Sequence, residues 1–239
     1  MSGLVLKGAL IEYMPTNLGN PARNVIAFQY NPETMTHTWT QPEPAPTAGT
    51  EQSNPLAVKG VPGEAFSFTI AMDANDEIAG GNAQTAALAQ TSGIYSRLAA
   101  LEMLLYPTGG VQPVLTGAVT AAVASAQSGQ TPSTTRAVPQ SVIPVTIFIW
   151  GSGRVVPVRV TGLTITEKLY DATLNPTHAE AQLSLRVLTP AELVAASTDN
   201  DVLGNVASVA YNYTLSRRQE LATANLANAA ESNIGMIPQ

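Results

Sequence analysis

The chain has 239 residues, 45% of them hydrophobic and only 12% charged, with a formal net charge of -6 at pH 7 and no cysteine. The missing cysteines exclude disulfides, thiolate metal sites and cysteine nucleophiles. The acidic balance, with no run of Lys or Arg, excludes nonspecific nucleic-acid binding, which rests on clustered basic residues.

A chain of this length can bury a sizeable core. Roughly a quarter of residues are charged in an ordinary globular protein. A chain this poor in charge has uncharged surface suited to burial against neighbours. No stretch of about 20 apolar residues is present, so no direct membrane insertion is expected. Lys7 lies in a short alternating segment with no long apolar region after it, which does not read as a signal peptide. The expectation is synthesis and assembly in the cytoplasm.

Residues 4–13 read as a first strand, closed by Pro15, Asn17, Gly19, Asn20 and Pro21. Residues 24–30 read as a second, stopped at Asn31-Pro32, because the residue before proline is pushed to extended or turn geometry. Thr36 to Thr40 alternates again and is expected to return as the partner of a hairpin. Residues 42–62 carry Pro42, Pro44, Pro46, Pro55 and Pro62 and read as a long loop able to reach over a neighbouring subunit. In residues 65–73, Phe66, Phe68, Ile70 and Met72 share one face of a strand. The period then turns helical over 92–105, with Thr91 or Ser92 as cap, a stripe of Ile94, Leu98, Leu101 and Leu105, and a stop at Tyr106-Pro107.

Residues 108–141 are rich in Ala, Thr, Ser, Gln and Gly and read as an inserted loop, with a weak helix over 114–126. Residues 142–188 read as three strands. Val142 to Trp150 is nearly all apolar, as in a strand covered on both faces. Gly151-Ser152-Gly153 turns the hairpin, a bend falls near Gly162, and Asp171 to Pro176 makes the next turn. Pro190 suits a first helical position, and residues 201–231 carry a helical stripe of Val202, Val206, Val209 and Tyr213 followed by Arg217 and Arg218. A helix with so little apolar surface needs a partner. Its stripe is either an intramolecular packing face or a docking face, and docking is favoured because the β-region has enough strands to close its own core.

No catalytic arrangement stands out. His37 and His178 have no metal-site spacing around them and read as surface or satisfied residues. Asp73, Asp76 and Glu77 lack the ligand pattern of a calcium loop and read as a solvated turn. The glycine-rich segments do not lie between a strand and a helix start, so they cradle no phosphate. Trp150 reads as a core anchor. Arg154 and Arg159 flank the hairpin as candidate inter-subunit residues. No cofactor or metal is expected.

Phe28-Gln29-Tyr30-Asn31-Pro32-Glu33-Thr34 resembles the aromatic-x-aromatic-Asn-Pro element of tube and baseplate proteins of phage-tail-like contractile injection systems. Phe66 to Ala74 resembles their next strand, Ile94 to Pro107 their single helix, and Pro144 to Gly151 their Pro-x-x-x-x-x-Trp-Gly strand; Val158 to Leu188 resembles the closing strands. The resemblance covers residues 3–190. It implies a non-enzymatic, mainly β protein, a tail-tube-like antiparallel β-barrel or sandwich over 1–190 with one packed helix; the C-terminal helical extension over 191–239, read from the residue pattern, departs from the family. It also implies a hexameric ring whose partners are the inner tube protein, the spike or hub, and baseplate wedge components. Hub relatives commonly carry a LysM module, and no such pattern follows residue 190. That departure and the 108–141 insertion point to the tube–baseplate junction. The alternatives are the inner tube subunit itself and a glycan- or peptidoglycan-binding β-sandwich. Candidate inter-subunit or docking residues are Arg154, Arg159, Val202, Val206, Val209, Tyr213, Arg217 and Arg218.

Overall fold

The computed structural model describes residues 6–14, 22–42, 58, 60–80, 83–107, 143, 145–196 and 202–231. The strands are β1 (Ala9–Met14), β2 (Ala22–Ala27), β3 (Met35–Thr40), β4 (Gly63–Asp73), β5 (Val145–Ile149), β6 (Val155–Tyr170) and β7 (Pro176–Val187). The helices are α1 (Ala74–Gly80), α2 (Ala83–Ser92), α3 (Tyr95–Met103), α4 (Pro190–Ala196) and α5 (Val202–Glu231). The readings of 42–62 and of 108–141 fall almost wholly outside the described residues.

All strands join one antiparallel, 7-stranded sheet in the order β2-β1-β5-β6-β7-β4-β3. The mainly β antiparallel class is as expected. Closure into a barrel is not: no ladder joins β2 to β3 among the described residues. The expected hairpin of the second and third strands is also corrected, since β3 pairs with β4 at the opposite edge. The Asn31-Pro32 stop sends the chain across the sheet instead of back along β2.

The sheet nevertheless curls until its ends approach. Phe28, just past β2, stands 5.5 Å from Phe68 on β4 between ring centroids, although four strands separate β2 from β4 in the ladder. The concave face holds the main core. Alternation supplies it with Phe66, Phe68, Ile70 and Met72 from β4, and with Ala179, Ala181, Leu183, Leu185 and Val187 from β7. Helix α3 adds Leu98 and Leu101, with Ile94 before it and Leu104 after it. Leu104 replaces the expected Leu105, which is 40% exposed. The helix tightens at its end, where Leu104 N–H donates to the Leu101 carbonyl, so the stripe steps by three residues instead of four. The expected Thr91 or Ser92 cap is also corrected. Both residues end α2, and their hydroxyls donate back to the Leu88 carbonyl.

Strand β5 is covered on both faces, as its nearly all-apolar run predicts. Phe148 enters the concave core. Ile147, with Val145 and Ile149 beside it, enters a second cluster with Leu193 of α4 and Ala207 and Ala210 of α5. Thr189 and Glu192 form a reciprocal capping box at the start of α4, with Pro190 in the first turn. The register of β6 shifts between Val160 and Gly162, where the bend was expected.

Candidate functional site

The two segments that carry the family resemblance meet at one corner. Phe28 lies 6.5 Å from Phe148 and 6.4 Å from Trp150, centroid to centroid. Gly8 permits this packing: a Cβ there would stand 2.7 Å from both Phe28 and Trp150 side-chain atoms. Around the aromatic group, polar side chains of the same segment fasten the curl. The Gln29 amide donates to the Asp73 carbonyl at 2.8 Å and accepts from the Asp73 N–H at 2.8 Å. Asn31 accepts from the Gly8 N–H at 2.9 Å and donates to the Leu6 carbonyl at 2.9 Å. Each amide thus copies a backbone rung where no strand is available.

Asp73 also caps α1, its carboxylate accepting from the Asn75 N–H at 2.8 Å and facing His178 Nδ1 at 3.2 Å. Burial pushes the Asp73 carboxyl up, but the Asn75 N–H and His178 outweigh it and hold the group below the usual range. Tyr30 donates to Asp76, and that bond, helped by burial, pushes its hydroxyl up to about 12. Glu77 pairs with Arg97, which also donates to the Ala27 carbonyl at 3.1 Å. The acidic trio is therefore the start of a helix tied to three neighbours, not a solvated turn. Among the described residues no three His, Asp or Glu side chains converge to hold a metal.

Charge gathers a second time, on the rim next to β3. Glu64 continues the concave face of β4 toward solvent by alternation and is 4% exposed. Both its oxygens are taken. Arg218 of α5 donates from Nη1 to Oε2 at 2.9 Å and from Nη2 to Oε1, and His37 Nε2 lies 2.8 Å from Oε1. Arg218 stacks 4.7 Å above the Trp39 ring, and Arg154 lies 5.2 Å from the Phe66 centroid. Sequence reasoning missed Glu64. The signal was a carboxylate in phase with Phe66 and Phe68.

The residues proposed for docking separate accordingly. Arg154 and Arg218 come together in this cluster. Val206 packs in the second core, and the Tyr213 hydroxyl donates to the Ser152 carbonyl at 2.7 Å. Val209 is 68% exposed, Arg217 pairs with Glu220, and Arg159 lies exposed on β6 across from Arg186. Val202 lies in α5, and its side chain is outside those described. The buried face of α5 is Ala207, Ala210 and Thr214, not the valine–tyrosine stripe. Its first half docks on its own sheet: the Thr214 hydroxyl accepts from the Val155 N–H at 2.9 Å and donates to the Val155 carbonyl at 2.6 Å. Residues 219–225 are exposed on every side.

Among the described residues no strand pairs with the outer side of β2. Phe28 N–H donates to Gly8 within the β1–β2 ladder, so Ile26 and Asn24 face β1 while Val25 and Ala27 turn their backbone groups outward. A crevice of about 230 Å³ follows this edge, lined by Val25, Leu88, Arg97 and Ala100 among others. No helix among the described residues is long and apolar enough to cross a membrane. Neither a protein-family model nor a curated protein matches this sequence.

Proposed function

We propose that this chain is a structural subunit of a phage-tail-like contractile injection particle, forming a ring at the junction between the inner tube and the hub or spike. The observation that carries the reading is the corner itself. The Phe28–Pro32 and Phe148–Gly151 segments, which resemble tube and baseplate proteins, pack on each other and bend the sheet through Gly8, Gln29 and Asn31.

The mechanism is geometric. A curled sheet with an outward-facing β2 edge offers backbone donors and acceptors to a neighbouring copy, and pairing there closes a ring while disposing of the exposed edge. The far half of α5, with residues 219–225 exposed, extends toward other baseplate components.

Stoichiometry in purified particles tests this. The junction role expects a ring or two per particle at the tube base by cryo-electron microscopy. Stacked copies along the whole tube would make the chain the inner tube subunit. Absence from particles, with a monomer that binds glycan, would replace the proposal with the glycan-binding alternative.

A further inference from the structure

The rim cluster contains an imbalance of charge. Two guanidinium groups and an imidazole surround a single carboxylate, and Arg218 and His37 already occupy both oxygens of Glu64. Arg154 is left over. Among the described residues it meets no carboxylate, and its nearest acceptor is the Met35 thioether, with Sδ 3.7 Å from Nη1. It is pressed on the Phe66 ring at 5.2 Å and only partly exposed. Burial, and then the neighbouring Arg218, push its pKa below the ordinary value; Glu64 offsets only part of this. A half-buried cation without a partner is costly, and an anion supplied from outside would relieve the cost.

We infer that Arg154, with Arg218 beside it, forms a receptor for a carboxylate. The guanidinium fork matches a planar carboxylate through parallel N–H bonds, as Arg218 does with Glu64 in the same cluster. A phosphate dianion would meet the buried Glu64 at twice the charge, so the site favours a monoanion. Beside Arg154, Trp39 is 48% exposed and the Arg218 side chain retains 32% exposure. The carboxylate arrives either on an acidic side chain of another polypeptide or as a free small carboxylate. The receptor requires nothing of the particle reading, and a particle ring can form with the receptor empty.

The test is thermal unfolding of the full chain in sodium acetate against sodium chloride at equal ionic strength. Acetate is expected to raise the unfolding temperature above the chloride control in the native chain and in Arg159→Gln, whose arginine lies exposed on β6. Arg154→Met, which keeps an unbranched apolar side chain over Phe66, should lose the difference. Should Arg154→Met fail to fold, the native chain is titrated with acetate while the arginine Nε–H signals are followed by NMR, with Arg154→Lys to assign the resonance. The Arg154 signal should shift and the Arg159 signal should not. A hexaglutamate peptide saturating at lower carboxylate concentration than acetate assigns the site to an acidic side chain. Equal potency per carboxylate assigns it to the free anion. Acetate behaving as chloride, an equal response in Arg154→Met, or an Arg154 Nε–H that does not move would overturn the receptor.

Discussion

At the corner around Gly8, the absence of one methyl group determines how two aromatic rings meet. Gly8→Ala would place a Cβ 2.7 Å from Phe28 and Trp150 atoms that the core holds in place. The expected loss is about 1–3 kcal/mol, the usual cost of overpacking, read as a lower urea midpoint at unchanged slope. Gln29→Leu keeps the volume but leaves the Asp73 N–H and carbonyl unpaired, and should cost about 1–3 kcal/mol for the orphaned groups.

Tyr30 gives a pH signature. Its folded pKa is raised, so the contribution of its bond to Asp76 is complete below about 10, the ordinary tyrosine value, and is lost as pH climbs through about 12. Absorbance at 295 nm should show one tyrosine ionising last, and Asp76→Asn should bring that step down. These residues were half legible in the sequence. The Asn-Pro stop marked a corner, but alternation names only which way a side chain faces. It could not show that an amide would stand in for a rung of a strand distant in sequence.

Among the elements, α5 is held by small residues and polar ties rather than by a broad apolar face. Deleting residues 202–239 would uncover Ile147, Ile149 and Val155 and remove the hydroxyl that serves both backbone groups of Val155. The expected result is a lower urea midpoint and binding of a hydrophobic dye. Deleting only 219–239 should change the unfolding free energy by no more than about 0.5 kcal/mol, as for ordinary surface changes, because residues 219–225 are exposed. A double-mutant cycle over Glu64→Gln and Arg218→Met should give a coupling of about 1–3 kcal/mol, because Glu64 is buried while Arg218 is a third exposed.

Elements with a clear pattern were readable: β4 by alternation, α3 by its leucines, and β5 by a nearly all-apolar run. Helices α1 and α2 were not, because each buries little more than one alanine and so shows no stripe. The face by which α5 packs on its own sheet was not legible for a related reason. Ala207, Ala210 and Thr214 carry the contact, and larger side chains drew attention to the exposed side.

For the molecule as a whole, the sequence pattern indicates how many strands there are but not whether the sheet closes. Closure depends on what lies against the outward edge of β2, where Arg97 already takes the Ala27 carbonyl and Val25 keeps its own N–H. Proline is tolerated on such an edge because no ladder bond is lost inside the monomer. Val25→Pro should therefore leave the monomer's circular dichroism and melting unchanged while abolishing the rings proposed above, seen as a single monomer boundary in sedimentation. Rings that persist would place the subunit contact elsewhere.

The stop at Asn31-Pro32 also bears on chemical ageing. Asparagine side chains deamidate when the following peptide nitrogen attacks the amide carbon, and proline has no N–H to make that attack. The amide of Asn31 both donates and accepts in holding residues 6–8, and a carboxylate in its place would face the Leu6 carbonyl with no proton to give. The residue that turns the chain thus also shields its neighbour from the one-atom change that would loosen the corner.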